Sequence, residues 1–169
     1  MNQKILRADF DDPRLEEFLA EHLADMMATS PPESVHALDL DGLRRPSVRL
    51  WVLHDGGELA AAGALSSVGE GHEELKSMRT RARFRGRGLA RRMLQHLVAD
   101  AASRGVARLS LETGVEDYFA AARAFYAMEG FELCDPFGVY APDPNSVFMT
   151  RELAVGSFAA ADPAAAPAG

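Results

Sequence analysis

Residues 74–104 constrain the fold more than any other stretch of the chain. An alternating run at 74–80 (ELKSMRT) has the look of a strand, with Leu75 apolar on one phase and Met78 on a shifted one. It leads into seven arginines between Arg79 and Arg92 with no acid among them, in a chain whose net charge is -7. Within that run lies Arg85-Gly86-Arg87-Gly88-Leu89-Ala90, and an apolar repeat at Leu89, Met93, Leu94, Leu97, Val98 and Ala101 follows at helical spacing. A strand, a glycine turn and a helix start aim several unused backbone N–H groups at one place, where the helix dipole adds to them. Gly86 and Gly88 carry no Cβ, permit positive φ and let an anion come close to the backbone. The flanking guanidiniums suit a ligand with more than one phosphate. The stretch therefore predicts a polyphosphate site, against a solvated charged face or a nucleic-acid stripe as the alternatives.

Two common phosphate motifs are excluded. No Gly-Lys-Ser/Thr follows the glycines, which removes the Walker nucleotide loop. The position for the third glycine of a dinucleotide fingerprint holds Arg91, and the preceding strand is charged. Phe84 is the lone aromatic among the arginines and the pI is about 5.2, which argues against nucleic acid and against an anionic membrane surface.

A chain of 169 residues with 47% apolar content has enough material for one sizeable core, so one domain is expected. The N-terminus (MNQKILRADFDD) lacks the apolar segment of a signal peptide and no stretch approaches 18 uncharged apolar residues; the expected compartment is the cytoplasm. Cys134 has no partner for an internal disulfide, and the five histidines are scattered singly, with no metal-ligand spacing.

Along the chain, a strand is expected at 3–8. A helix should open at Asp12-Pro13 and run to about residue 28, with Leu15, Phe18, Leu19, His22, Leu23 and Met26 along one side. Pro31-Pro32 ends it, and residues 29–46 form a connector in which Ser34 and His36 are weak candidates for the wall of a substrate cleft, ordinary capping being the alternative. Strands at 47–53, 58–67 and 72–80, separated by a His54-Asp55-Gly56-Gly57 hairpin turn and a 69–71 turn, make a meander. After the long helix, Gly105 caps, 106–111 is a buried parallel strand ended by Thr113-Gly114, 116–129 a helix stopped by Gly130, and 131–134 and 147–153 the last strands. From Gly156 the alanine-rich tail has no periodic face and is expected to be disordered or partly helical.

Arg85, Gly88 and Ala90 match the acyl-CoA signature Gln/Arg-x-x-Gly-x-Gly/Ala. With Glu74-Leu-Lys-Ser-Met, Leu111-Glu-Thr-Gly and Ala124-Phe-Tyr-Ala-Met-Glu-Gly-Phe131 in the same order, residues 1–153 resemble the GCN5-related N-acetyltransferases, in particular small bacterial members with a Pro-Pro-Glu-Ser segment and a 136–140 (PFGVY) turn. The resemblance implies a mixed α/β fold: a central mixed sheet of six to seven strands, helices on both faces, and a splay between the fourth and fifth strands. The domain would span 1–153 and the tail 154–169. In the splay, the backbone at Met78, Arg79 and Thr80 would hold the pantetheine arm of acetyl-CoA, and the N–H groups from Arg85, Gly86, Arg87, Gly88 and Leu89 to Ala90 its pyrophosphate. The N–H of Met78 would face the thioester carbonyl. Tyr126 would be the acid toward the departing thiolate. Glu74 matches the family's glutamate base, with His72, a water relay or an already neutral amine as alternatives, and simple pairing of Glu74 with Lys76 as a competitor. Thr113 would bond the pantetheine where relatives often have asparagine, and Glu112 is a weak acceptor-site candidate.

The implied activity is direct transfer of acetyl from acetyl-CoA, with no metal, to the primary amine of a small molecule. Acids at Glu74, Glu112, Glu116 and Asp117 would favour a cationic acceptor. A protein or peptide N-terminal or lysine acetyltransferase, and a non-catalytic acyl-CoA-binding sensor, are the alternatives. No nucleic acid or membrane partner is expected, and a homodimer is left open.

Overall fold

A computed structural model describes residues 2–29 and 40–154. In chain order these form β1 (Gln3–Arg7), α1 (Pro13–Thr29), α2 (Leu40–Leu43), β2 (Val48–Asp55), β3 (Glu58–Gly69), β4 (His72–Thr80), α3 (Leu89–Ser103), β5 (Arg108–Gly114), α4 (Ala120–Met128), β6 (Glu132–Leu133) and β7 (Ser146–Glu152). The strands make one sheet in the order β1-β2-β3-β4-β5-β7-β6; β4 and β5 are parallel and every other pair antiparallel. The mixed seven-stranded sheet agrees with the expected architecture. The predicted Ser34 and His36 and the 155–169 portion of the tail lie outside the described residues.

Helices cover both faces. Leu15, Phe18 and Leu19 of α1 and Leu43 of α2 pack on Val48, Leu50, Val52, Ala62 and Ala64. On the opposite face Leu89, Met93, Leu94, Leu97 and Ala101 of α3, with Tyr126 of α4, pack on Leu53, Ala61, Leu65, Leu75 and Leu111. The alternation of β2 and β3 feeds both cores, since successive strand side chains point to opposite faces. Asp12 caps α1 by accepting the Arg14 N–H at 2.9 Å, the role its place before Pro13 foretold. The far end of α3 closes in a Schellman arrangement: Gly105 has φ +86, and the N–H groups of Gly105 and Val106 donate to the carbonyls of Ala102 (3.1 Å) and Ala101 (3.0 Å).

Several boundaries differ from expectation. β2 runs through His54 and Asp55, so the hairpin turn is Gly56-Gly57 alone, both at positive φ as a two-residue turn needs. β5 does not stop at Thr113-Gly114 but pairs with β7 through Gly114. The helix expected at 116–129 begins as a 3-10 turn over Asp117–Phe119, and α4 proper is nine residues long. β6 shrinks to two residues.

The feature that positions the site is a β-bulge. β3 and β4 pair Ala62 with Arg79 and Ala64 with Lys76, so Ser77 and Met78 together stand opposite Gly63. Ser77 takes φ +54, the one non-glycine residue at positive φ among those described. The extra residue moves the strand's phase: Leu75 faces the α3 core before the bulge and Met78 packs against that core after it. This is the physical origin of the phase shift legible in the sequence. Gly63 is required there, because a Cβ would stand 2.7 Å from Met78 Sδ, 2.8 Å from Leu97 Cδ1 and 3.0 Å from Met93 Cγ. β4 pairs with β5 only from His72 to Glu74, against Arg108 to Ser110. Beyond that point β4 stays with β3 and β5 stays with β7, so the two strands part and leave the edge of residues 75–80 unpaired toward β5.

Overpacking at the bulge should cost stability. Gly63→Ala is expected to destabilise the fold by about 1–3 kcal/mol, read as a lowered urea midpoint. A midpoint equal to that of the parent protein would show that Met78 and Leu97 yield freely.

Candidate active site

The parting of β4 and β5 opens a cleft of about 480 Å³. Its walls include Leu75, Lys76, Ser77, Met78, Arg79 and Thr80 from β4, Leu111, Glu112 and Thr113 from β5, and Phe125 and Tyr126 from α4. A second hollow of about 350 Å³, lined by Thr80, Phe84, Arg85, Gly86, Gly88, Leu89 and Ala90, continues it at the start of α3. The cleft thus brings together most of the residues picked out in the sequence: Glu74, Met78, Arg79, Thr80, Arg85, Ala90, Glu112, Thr113 and Tyr126.

At the α3 end, Gly86 and Gly88 adopt φ of +79 and +77, and Gly88 caps the helix without a side-chain hydrogen bond. The Arg85 N–H is already given to the Ala82 carbonyl at 3.2 Å, so the turn's free donors start one residue later than expected. Among the described residues, none of the N–H groups of Gly86, Arg87, Gly88, Leu89 and Ala90 is given to a protein acceptor. The guanidiniums around this turn are more occupied than an acid-free run suggests. Arg81 pairs with Glu21, Arg83 with Glu58, Arg87 with Asp55 and Arg91 with Glu129, while Arg92 bonds Gln3. Acids distant in sequence neutralise them in space. The Arg87 and Arg91 side chains are more than half exposed, whereas the side chains of their partners Asp55 and Glu129 are largely buried. Among the described residues the Arg85 guanidinium bonds only the Thr80 carbonyl, at 3.4 Å, and Arg85 lines both hollows.

At the middle of the cleft, Tyr126 is buried between Phe125 and Phe131, with ring centroids at 5.3 and 5.6 Å. Burial pushes its phenol above the ordinary value, so it stays protonated and keeps an O–H to donate. Thr113 is buried on the facing strand. Glu112 accepts a hydrogen bond from Ser146 Oγ at 2.8 Å.

The opposite face of β4 carries a polar cluster. Glu74 is 6% exposed. Its Oε2 accepts hydrogen bonds from the Tyr140 hydroxyl and from Lys76 Nζ (3.2 Å), and Lys76 Nζ also donates to the Tyr140 oxygen at 3.0 Å. The pairing of Glu74 with Lys76, held open in the sequence as a competitor to a catalytic role, is thus present, and it places the carboxylate at the cleft wall. Tyr140 is pushed above the usual phenol range, first by burial and then by the Glu74 charge. Phe137 and Phe148 pack around it with centroids at 5.2 and 5.5 Å. The sequence assigned Tyr140 no role. Its one signal in the sequence is the 136–140 turn that the chain shares with small bacterial members of the family it resembles.

His72, the alternative base, shares the face of Glu74 but not the cleft. Its Nε2 lies 2.7 Å from Ser110 Oγ where β4 and β5 are still paired, and its ring packs on Phe137. Burial is the main cause of its lowered pKa. His22 and Asp25 of α1, by contrast, do line the cleft beside Arg79. His22 is held down to about 4, by burial first and then by the Arg79 charge, so it is neutral at physiological pH. Among the described residues no group of three or more His, Cys, Asp or Glu is placed to hold a metal, and no helix is long and apolar enough to cross a membrane.

The His22 shift has a sign. Its folded pKa lies below the unfolded value of 6.5, so the unfolded chain binds the proton first. The stability this contributes is complete above pH 6.5 and is lost as the pH falls toward 4. Urea midpoints measured across that window should fall less steeply for His22→Gln than for the parent; equal slopes would assign the acid sensitivity elsewhere.

Comparison with known proteins agrees with this geometry. The Acetyltransferase (GNAT) family model matches residues 9–131. The chain is 50% identical over 133 residues to the uncharacterised N-acetyltransferase YsnE of Bacillus subtilis (strain 168), covering 79% of this chain and 88% of that protein. It is similar to a Klebsiella pneumoniae crystal structure described as an acyl-CoA N-acyltransferase, with a TM-score of 0.76, 30% identity, and coverage of 89% and 97% of the two chains. The fold is also that of the PaiA N-acetyltransferase of Thermoplasma acidophilum, solved in complex with coenzyme A, with a TM-score of 0.69 at 13% identity and coverage of 90% and 99%.

Proposed function

We propose that this chain, which belongs to the GNAT family of acetyltransferases, moves the acetyl group of acetyl-CoA directly to the primary amine of a small molecule. The observation that carries the reading is the splay: an unpaired β4 edge runs from Leu75 to Thr80 toward a turn whose Gly86–Ala90 amides have no protein acceptor among the described residues. These features fit acetyl-CoA. An unpaired β edge suits the amides of a pantetheine arm, and N–H groups at a helix start suit a diphosphate. Acetyl-CoA supplies the activated acyl carbon as a thioester.

The residues then have distinct tasks. The β4 backbone at Met78, Arg79 and Thr80 orients the arm, and the Met78 N–H donates to the thioester oxygen as charge develops there. Glu74, directly or through a water, takes the first proton from the acceptor's ammonium. Tyr140 and Lys76 hold the Glu74 carboxylate at the cleft wall. The amine nitrogen attacks the thioester carbon, negative charge gathers on its oxygen as the C–N bond forms, and the C–S bond then breaks. Tyr126 gives its proton to the leaving sulfur, and the second amine proton restores the phenol.

Tyr126→Phe is expected to lower kcat about 100-fold while the affinity for CoA, measured by calorimetry, stays within about twofold. CoA release against a panel of amines, amino acids and short peptides is the assay. Full turnover by the variant at saturating substrate would remove Tyr126 as the acid. A parent protein that binds acetyl-CoA but releases none against the panel would favour a non-catalytic sensor, and activity confined to the peptides would favour a protein or peptide acceptor.

A further inference from the structure

Arg79 is a cation with an unused edge. Its side chain is 9% exposed, and among the described residues its guanidinium makes one hydrogen bond, from Nη1 to Asp25 Oδ2 at 2.5 Å. Among the described residues the Nε–H has no acceptor, and it is out of contact with solvent. A guanidinium offers two forked edges to a carboxylate, and a contact through Nη1 leaves the Nε–Nη2 edge whole. A buried donor without an acceptor destabilises the fold, so one that persists in a cleft marks a place for a ligand. Arg79 is not alone: Ser77 Oγ, at the positive-φ position of the bulge, is also buried without a partner and lines the same cleft. Lys76 immediately precedes Ser77, is 11% exposed at its side chain, and has a third N–H beyond the two given to Glu74 and Tyr140.

We propose that this wall is a carboxylate subsite, built on the Nε–Nη2 edge of Arg79 with Ser77 Oγ beside it, and that the acceptor is an amino acid, carrying a carboxylate as well as the amine to be acetylated. This rests on the N-acetyltransferase reading above and narrows it. The arrangement follows from the bulge: the backbone of Met78 is the group assigned to the thioester oxygen, and Arg79 is the next residue, so a carboxylate held by its side chain leaves the acceptor's amine beside the reacting carbon. Asp25 fixes the guanidinium from the other edge and limits the entropy lost on binding. Glu74 and the carboxylate-binding wall together present a negative and a positive pole to a zwitterion, which neither a simple alkylamine nor a neutral amide can match. A site built to pair a carboxylate also rejects analogues lacking it, because its buried donors are then left without acceptors.

The test is a matched panel assayed for CoA release: the proteinogenic amino acids, their carboxamides and their decarboxylated amines. At least one amino acid should exceed its carboxamide and its decarboxylated amine by about 100-fold or more in kcat/KM. Arg79→Lys keeps a charge to pair with Asp25 but lacks the forked edge; it should raise KM for that amino acid at least tenfold and collapse the preference, while the calorimetric affinity for CoA stays within about twofold. Arg79→Gln should do the same more severely, and circular dichroism reports whether it has folded. A decarboxylated amine or carboxamide turned over as well as its parent amino acid overturns the carboxylate subsite and leaves the N-acetyltransferase reading standing. So does absence of turnover with every amino acid in a protein that binds CoA and acetylates another amine. Failure to bind CoA at all overturns the reading beneath it as well.

Discussion

The bulge at Ser77 and Met78 is the constraint on which the rest of the molecule depends. A parallel pair would ordinarily continue until one strand ended, and β4 and β5 have the length to do so. Instead one residue too many is fitted opposite Gly63, the right-handed twist of β4 increases locally, and the strand follows β3 while β5 follows β7. The bulge needs a glycine beneath it, since any Cβ at position 63 would run into Met78, Met93 and Leu97. It also places a non-glycine residue at positive φ, a cost that the packing on both sides must offset. A cleft in the middle of a sheet is otherwise hard to build, because exposed backbone donors and acceptors invite closure.

The two faces of the divided sheet carry different chemistry. Toward α3 and α4 the lining is aromatic and aliphatic, with Tyr126 kept neutral by burial. Toward α1 and the 135–144 segment it is ionic, with Glu74, Lys76 and Tyr140 in one cluster and Arg79 with Asp25 in another. A nucleophilic amine must lose a proton on one side of the reacting carbon while a thiolate is stabilised on the other. In the proposed reaction the ionic face serves the first demand and the apolar face the second.

The strand–turn–helix unit, the glycines and the order of the elements were legible because each rests on local patterning: helical spacing in α3, alternation in the strands, and positive φ at Gly86 and Gly88. The phase slip between Leu75 and Met78 was visible too, although only the pairing with β3 reveals it as a bulge. Three-dimensional pairing was not legible. Arg81, Arg83, Arg87 and Arg91 find acids 25 to 60 residues away, so a run that looked like a bare positive patch is mostly compensated. Tyr140 reaches Glu74 across 66 positions, from a segment with no regular structure and so no periodicity to read. The Arg85 amide, engaged by Ala82 through a 3-10 turn, was beyond a motif that counts residues without their hydrogen bonds.

The division of labour along β4 has an evolutionary consequence. Its backbone edge and its side chains belong to different partners in the proposed reaction. Main-chain amides are much the same whatever residue bears them, so a side chain such as that of Arg79 can change in chemistry while the unpaired edge persists. Descendants of such a scaffold can change what they modify without relearning how to hold the donor, which suits this architecture to a large and chemically diverse lineage.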